Sequence, residues 1–251
     1  MVSRSIERAE NTHLRAWGRL ATIAIALILL LPVHGIWRLL QLRSPWPRRF
    51  LQFAGKTAGA DVTVVGMPIK RDVLYIANHV SWLDILVLAG KTGSAFVAKS
   101  DMAPWPVIGW LATLNNSVYV AREQRLDVHA QALAMKTALE TSQPLTLFPE
   151  GTTGDGHALL HFRSSLVASV TPPPQGISIQ PVAIDYGECA GEIAWVGDEP
   201  VGRNALRVMS RARRLPVTLH FLEPLDHADF THRKAIVAHS REAIARTLFG
   251  A

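Results

Sequence analysis

A histidine followed at the fifth position by an aspartate, in Asn78-His79-Val80-Ser81-Trp82-Leu83-Asp84, can take a proton from a hydroxyl. Imidazole titrates near neutrality. A carboxylate on one ring nitrogen fixes the tautomer and stabilises the imidazolium that forms when the other nitrogen accepts a proton. A second segment, Phe148-Pro149-Glu150-Gly151-Thr152-Thr153, sets an acid between a proline and a glycine. Glu150 there can accept a hydrogen bond from a substrate hydroxyl or orient an arginine, and Gly151 lets a substrate approach the backbone closely. Taken singly, Ser81-x-x-Asp84 also reads as a helix-capping box and Pro-Glu-Gly as an ordinary turn.

Both segments follow short apolar runs, Val73 to Ala77 and Leu145 to Leu147, that read as buried strands, and α/β proteins place their chemistry at such strand ends. A helix turns about 100° per residue, so His79 and Asp84 share no face inside one helix. His79 must therefore precede the helix. With the strand ending at Ala77 and a cap at Ser81, Asp84 becomes the third helical residue, and its carboxylate can fold back towards His79.

Further β-like runs are Val62 to Val65, Ala95 to Ala98, Ser117 to Ala121, Ile177 to Ile184, Ile193 to Val196 and Pro216 to Phe221. Helical stretches are expected at Trp82 to Ala89, Val107 to Leu114, Gln124 to Glu140, Arg203 to Arg213 and Thr231 to Leu248. This alternation predicts an α/β fold, a mixed and largely parallel central sheet flanked by helices.

The charge is concentrated at one end. Residues 1–60 hold nine Lys/Arg against Glu7 and Glu10, whereas residues 61–251 hold seventeen Lys/Arg against eighteen Asp/Glu. The basic residues bracket an apolar run from Leu20 to Val33, a pattern that fits anionic lipid; nucleic-acid binding spreads them over a groove-facing surface and is not expected. Arg lies on both sides of the run, so the positive-inside rule sets no orientation. Pro32, His34 and Gly35 interrupt it. The expectation is a monotopic anchor that turns near Pro32 and continues as an amphipathic piece containing Trp37, Trp46, Phe50 and Phe53, with a single span as the alternative. Residues 1–60 are thus read as the anchor and 61–251 as one catalytic domain. No small-x-small cleavage site follows Val33, against a signal peptide. The lone Cys189 excludes an intramolecular disulfide.

The ordered blocks resemble the glycerolipid acyltransferases, the family of 1-acylglycerol-3-phosphate acyltransferases, over roughly residues 61–200. Asn78 to Asp84 matches the family's first motif. Lys99 to Trp110 is similar to the segment leading into the second, which ends Val118-Tyr119-Val120-Ala121-Arg122; Phe148 to Thr152 matches the third, and Ile179-Gln180-Pro181-Val182-Ala183-Ile184 the fourth. The resemblance implies that His79 is the base with Asp84 its partner, that Arg122 contacts the acceptor's phosphate, and that Asn78, Lys99, Glu150, Gly151, Thr152 and Thr153 surround the substrate. It implies acyl transfer from acyl-CoA or acyl-carrier protein to a lysolipid hydroxyl at the cytoplasmic face of the inner membrane, with no metal or tightly bound cofactor. Lysophosphatidic acid is the first acceptor it names. One departure stands out: the family's third motif often continues with Arg, and here Thr153 follows Thr152. Arg163 could supply the missing charge. The departure also admits a different head group, including an amino-acid lipid such as lyso-ornithine lipid.

Other clusters carry less. His157 and His161, with Asp155 nearby, lack an outside ligand for a metal; Asp226 to His232 reads as a cap for the last helix; and the stripe Arg203, Arg207, Arg211 reads as a solvated or membrane-facing helix edge. A hydrolase of acyl thioesters or lipids remains an alternative, although no Gly-x-Ser-x-Gly elbow is present. A non-catalytic lipid-binding protein is the remoter one.

Overall fold

The computed structural model describes residues 2–105, 107–120, 133, 137–139, 141–168, 171, 173–226 and 232–250. Its seven strands are β1 (Ala60–Val65), β2 (Val73–Ala77), β3 (Ala95–Lys99), β4 (Val118–Val120), β5 (Leu145–Leu147), β6 (Ser178–Asp185) and β7 (Leu215–Phe221). They form one sheet in the order β1-β7-β6-β2-β5-β3-β4. From β6 to β4 every neighbour is parallel; β7 runs antiparallel to β6 and parallel to β1, which makes the sheet mixed and largely parallel as expected. The apolar run of β2 is buried at all five residues because it lies inside a sheet covered on both faces.

Pleating divides β2 between two cores. Val73, Tyr75 and Ala77 join the core beneath α2 (Trp46–Ala58) and α3 (Leu83–Thr92). Leu74 and Ile76 join Ile236, Val237 and Ile244 of the C-terminal helix on the other face. Further helices are α1 (Val2–Leu39), α4 (Ile108–Leu114), α5 (Ala190–Ile193) and α6 (Val201–Met209), with that C-terminal helix as α7 (Arg233–Phe249). The approach of α2 to α3 depends on Gly90, where a Cβ would lie 2.7 Å from the Cα of Gln52. Packing at that distance leaves no room for a side chain.

Three expectations need correction or limits. Ile193 to Val196 is no strand: Ile193 ends the single helical turn of α5, and the carbonyl of Ala194 accepts from Asn204 Nδ2 and Arg207 Nη2, each at 3.0 Å, so side chains take the place of a ladder. The turn expected near Pro32 is absent, and α1 runs through it to Leu39. A proline already has helical φ and removes a single N–H from the ladder, and the long apolar helix carries on through it. The chain reverses at Gln41, which adopts φ 55°, after Leu42 N–H reaches the Trp37 carbonyl at 3.0 Å. Most of the helix expected at Gln124 to Glu140 lies outside the described residues, as does most of Asp226 to His232. His232 itself caps α7, its ring nitrogen accepting Ala235 N–H at 3.0 Å.

Both ends of the apolar part of α1 touch the sheet domain or the segment that leads into it. At one end Arg15 donates to the Ser210 carbonyl at 2.9 Å, and Arg19 to those of Met209 at 2.7 Å and Arg211 at 3.1 Å, so two cations cap the C-terminus of α6. At the other end His34 meets the Ser44 hydroxyl at 2.7 Å, Trp37 packs edge-on against Trp46, and Arg43 donates to the Thr141 carbonyl at 2.6 Å. Between these ties the helix turns Ile25, Ile28 and Leu29 outward, each more than half exposed. The stretch His13–Leu39 is long and apolar enough to cross a membrane, an 18-residue window of it having mean hydropathy 2.2.

Candidate active site

The sheet brings the two chemical segments together. β2 and β5 are parallel neighbours in the register Ile76 to Leu147, so the residues that follow them emerge at the same edge. On the other side of β2, Ala77 pairs with Val182 of β6. Asn78 prolongs that ladder with its side chain, donating to the Ile184 carbonyl at 3.0 Å and accepting Ile184 N–H at 2.8 Å. It is buried, and it fixes the point at which the chain leaves the sheet for His79.

Asp84 folds back as expected, from one residue earlier in the helix: α3 begins at Leu83, making Asp84 its second residue. Its Oδ2 accepts from His79 Nδ1 at 2.7 Å, Val80 N–H at 2.7 Å and Ser81 N–H at 2.9 Å. The carboxylate is fully buried, whereas the His79 side chain is 16% exposed. With Nδ1 donating to the carboxylate, Nε2 carries the lone pair that can accept a proton. Phe148 stacks on the imidazole at 4.0 Å and 10°, and Phe96 backs Phe148, so the ring plane is set by packing.

Glu150 ties the segments to each other. Phe148 to Gly151 is a β-turn with Pro149 at its second position and Gly151 at φ 77°, closed by Gly151 N–H to the Phe148 carbonyl at 3.1 Å. That turn aims the Glu150 carboxylate at His79 N–H, 2.8 Å from Oε1, and at Leu160 N–H, 3.1 Å from Oε2. Its geometry gives the acid two backbone partners, one of them His79 N–H. Burial raises the Glu150 carboxyl above its ordinary value, partly offset by those two N–H groups. A raised native value means the folded state holds this proton more tightly than the unfolded one, so Glu150's contribution to stability falls as pH rises above about 4.5. The stability gap between wild type and Glu150→Gln is therefore expected to be larger at pH 5 than at pH 8 in thermal melts; a gap that widens with pH would contradict it.

The remaining expected residues are placed as follows. Thr152 and Arg163 are exposed, and Arg163 N–H donates to the Pro149 carbonyl at 2.8 Å. Thr153 donates its hydroxyl to the Trp195 carbonyl. Lys99 closes β3, its side chain lying outside the described residues, and Arg122 lies outside them altogether. Among the described residues no group of three or more His, Cys, Asp or Glu side chains gathers as a metal site.

Three contributors were not singled out from the sequence. Tyr186, just past β6, donates to Asp84 Oδ1 at 2.5 Å, and burial, with the carboxylate beside it, raises its phenol well above the ordinary value. Trp195 N–H binds the Val80 carbonyl at 3.0 Å. Buried Asn204 accepts from the Trp82 indole at 3.0 Å. The segment around Trp195 is held by the arginine stripe: Arg207 pairs with Glu199 at 2.8 Å and Arg211 with Glu192, so two of its three arginines bind protein. Only the pairing of β6 with β2 brings Tyr186 here, since a residue past β6 stands beside one past β2. Tyr186→Phe keeps the ring and removes the hydrogen bond that holds Asp84. It is expected to lower kcat about tenfold with KM little changed, in steady-state kinetics; a rise in KM alone would place Tyr186 elsewhere in the reaction.

A histidine whose side chain is partly exposed, with a buried carboxylate on its Nδ1, suits direct attack by an acceptor hydroxyl. The acyltransferase family model matches residues 61–185. A lyso-ornithine lipid O-acyltransferase of Rhizobium meliloti is 36% identical over 241 residues, covering 88% of this chain and 82% of the relative. A 1-acyl-sn-glycerol-3-phosphate acyltransferase of Neisseria gonorrhoeae is 33% identical over 142 residues, 55% of each chain. The crystal structure of the 1-acyl-sn-glycerophosphate acyltransferase of Thermotoga maritima superposes with TM-score 0.69 at 21% identity, over 98% of this chain and 96% of that one, and so shares its fold. The chain thus belongs to the acyltransferase family that contains the 1-acyl-sn-glycerol-3-phosphate acyltransferases, enzymes of acyl transfer to a lysolipid.

Proposed function

We propose that this acyltransferase takes lyso-ornithine lipid as its acceptor, with acyl-CoA or acyl-carrier protein as donor, at the cytoplasmic face of the inner membrane. The observation that carries the head group is Thr153: where an arginine would supply charge for a phosphate, the chain has an uncharged side chain whose hydroxyl is spent on the Trp195 carbonyl. The likeness to the Rhizobium relative over most of both chains supports it. Lysophosphatidic acid is the second reading, favoured by the likeness to the Neisseria enzyme and by exposed Arg163, which can fork onto a phosphate.

In the reaction, His79 Nε2 removes the acceptor's hydroxyl proton as the oxygen attacks the thioester carbonyl. The tetrahedral intermediate expels the thiolate, which recovers the proton from the imidazolium, leaving an ester, a free thiol and neutral His79. Asp84 holds the ring throughout and stabilises its charged form.

Residues 1–60 hold this site at the bilayer. Because both ends of the apolar stretch of α1 are tied down, it lies in the plane of the interface with its outward residues in lipid and does not span. Offered both lysolipids in parallel with a labelled acyl thioester, the purified enzyme is expected to acylate lyso-ornithine lipid in preference; exclusive formation of phosphatidic acid would establish the second reading.

A further inference from the structure

The loop after the Glu150 turn is hung on the catalytic segment at several points. Gly154 N–H donates to the carbonyl of His79 at 2.7 Å. Two residues on, Gly156 lies so close that a Cβ would come within 2.6 Å of Ala190 Cβ and 3.3 Å of Val80 Cγ1. At its far end Leu160 N–H is held by Glu150 and Arg163 N–H by the Pro149 carbonyl. Between the two appressed glycines stands Asp155, exposed. From Gly151 to Gly156 it is the one charged residue. Its Oδ1 accepts His157 N–H at 2.9 Å, which orients the carboxylate within its own loop and holds its carboxyl below the ordinary value. Among the described residues no lysine or arginine forms an ion pair with it. A carboxylate so placed attracts an ammonium and repels a phosphate monoester.

We propose that Asp155 is a specificity-determining residue: its carboxylate binds the side-chain ammonium of an amino-acid lysolipid while the acceptor hydroxyl lies at His79. The proposal rests on the acceptor reading above and adds the residue that enforces it. Ornithine joined through its α-nitrogen keeps a side-chain amine, which a lysophosphatidic acid lacks.

The test uses the full-length enzyme in detergent micelles with acyl-CoA and three acceptors: lyso-ornithine lipid, the same lipid acetylated on its side-chain amine, and lysophosphatidic acid. Asp155→Asn retains an oxygen for His157 N–H and removes the charge. It is expected to raise KM for lyso-ornithine lipid about tenfold, the scale of one charge-assisted hydrogen bond, with kcat kept within about twofold. Acetylation should raise the wild-type KM to a similar degree and leave that of Asp155→Asn unmoved, and Asp155→Glu should restore most of the affinity. An Asp155→Asn KM within twofold of wild type, or a wild-type enzyme indifferent to acetylation, overturns the role of Asp155 while the acceptor reading stands. A wild-type enzyme that acylates lysophosphatidic acid and ignores lyso-ornithine lipid overturns both.

Discussion

Replacing His79 by alanine is expected to lower kcat by about 10³-fold, within the range a positioned general base contributes. The acceptor hydroxyl is a poor nucleophile until its proton leaves, and His79 presents the ring nitrogen placed to take it, since Nδ1 is bound to Asp84. The substitution removes a side chain that is partly exposed and stacked on Phe148, so the sheet and both cores persist. Membrane attachment, proposed above for residues 1–60, is expected to be unchanged in flotation with vesicles. Loss of turnover together with attachment would instead mark a folding defect.

Asp84→Asn is expected to cost about 10²- to 10⁴-fold in kcat, because a neutral amide no longer stabilises the imidazolium that forms. The carboxylate accepts four hydrogen bonds: three at Oδ2, from His79, Val80 and Ser81, and one at Oδ1, from Tyr186. An amide has one acceptor oxygen. If that oxygen stays with the two backbone N–H groups, its NH₂ faces the Tyr186 hydroxyl; if it turns to Tyr186, the NH₂ faces two N–H donors inside a fully buried site. The first arrangement is the cheaper one, and it strips the second oxygen's charge from His79. Stability is expected to fall too, by about 1–3 kcal/mol, the cost of a buried donor left unmet. Kinetics and denaturant melts on one preparation check both; a variant with wild-type kcat would remove Asp84 from the chemistry.

Much of this site was legible in the sequence because its central contacts are local. His79 and Asp84 are five residues apart, and strand-end and helix-start rules alone put the carboxylate over the ring. The burial of β2 and β5 followed from their apolar runs, and their adjacency brought Glu150 to His79. What escaped was long-range. Tyr186 reaches Asp84, and Asn204 reaches Trp82, only once β6 is known to lie beside β2 and α6 to pack over α3's start. A tyrosine or asparagine carries no pattern that announces such a partner. The two backbone donors that meet Glu150 were not legible either, since the turn chemistry that places it says nothing of which N–H groups it will face. The run Ile193 to Val196 has strand-like residues, yet Asn204 and Arg207 claim the Ala194 carbonyl and the stretch stays out of the sheet. Pro32 signalled a break that the helix absorbed, and the reversal fell at Gln41, a residue with no turn signature.

The most direct measurement is the stoichiometry of a single reaction: thiol released from an acyl thioester, counted against O-acylated lipid formed, for wild type and His79→Ala with lyso-ornithine lipid or lysophosphatidic acid present. One ester per thiol, release that requires the acceptor, and loss of both products in the variant are the expected results. Thiol released with free fatty acid and no lipid ester would make the protein a thioester hydrolase, and turnover surviving in His79→Ala would take the chemistry away from the dyad.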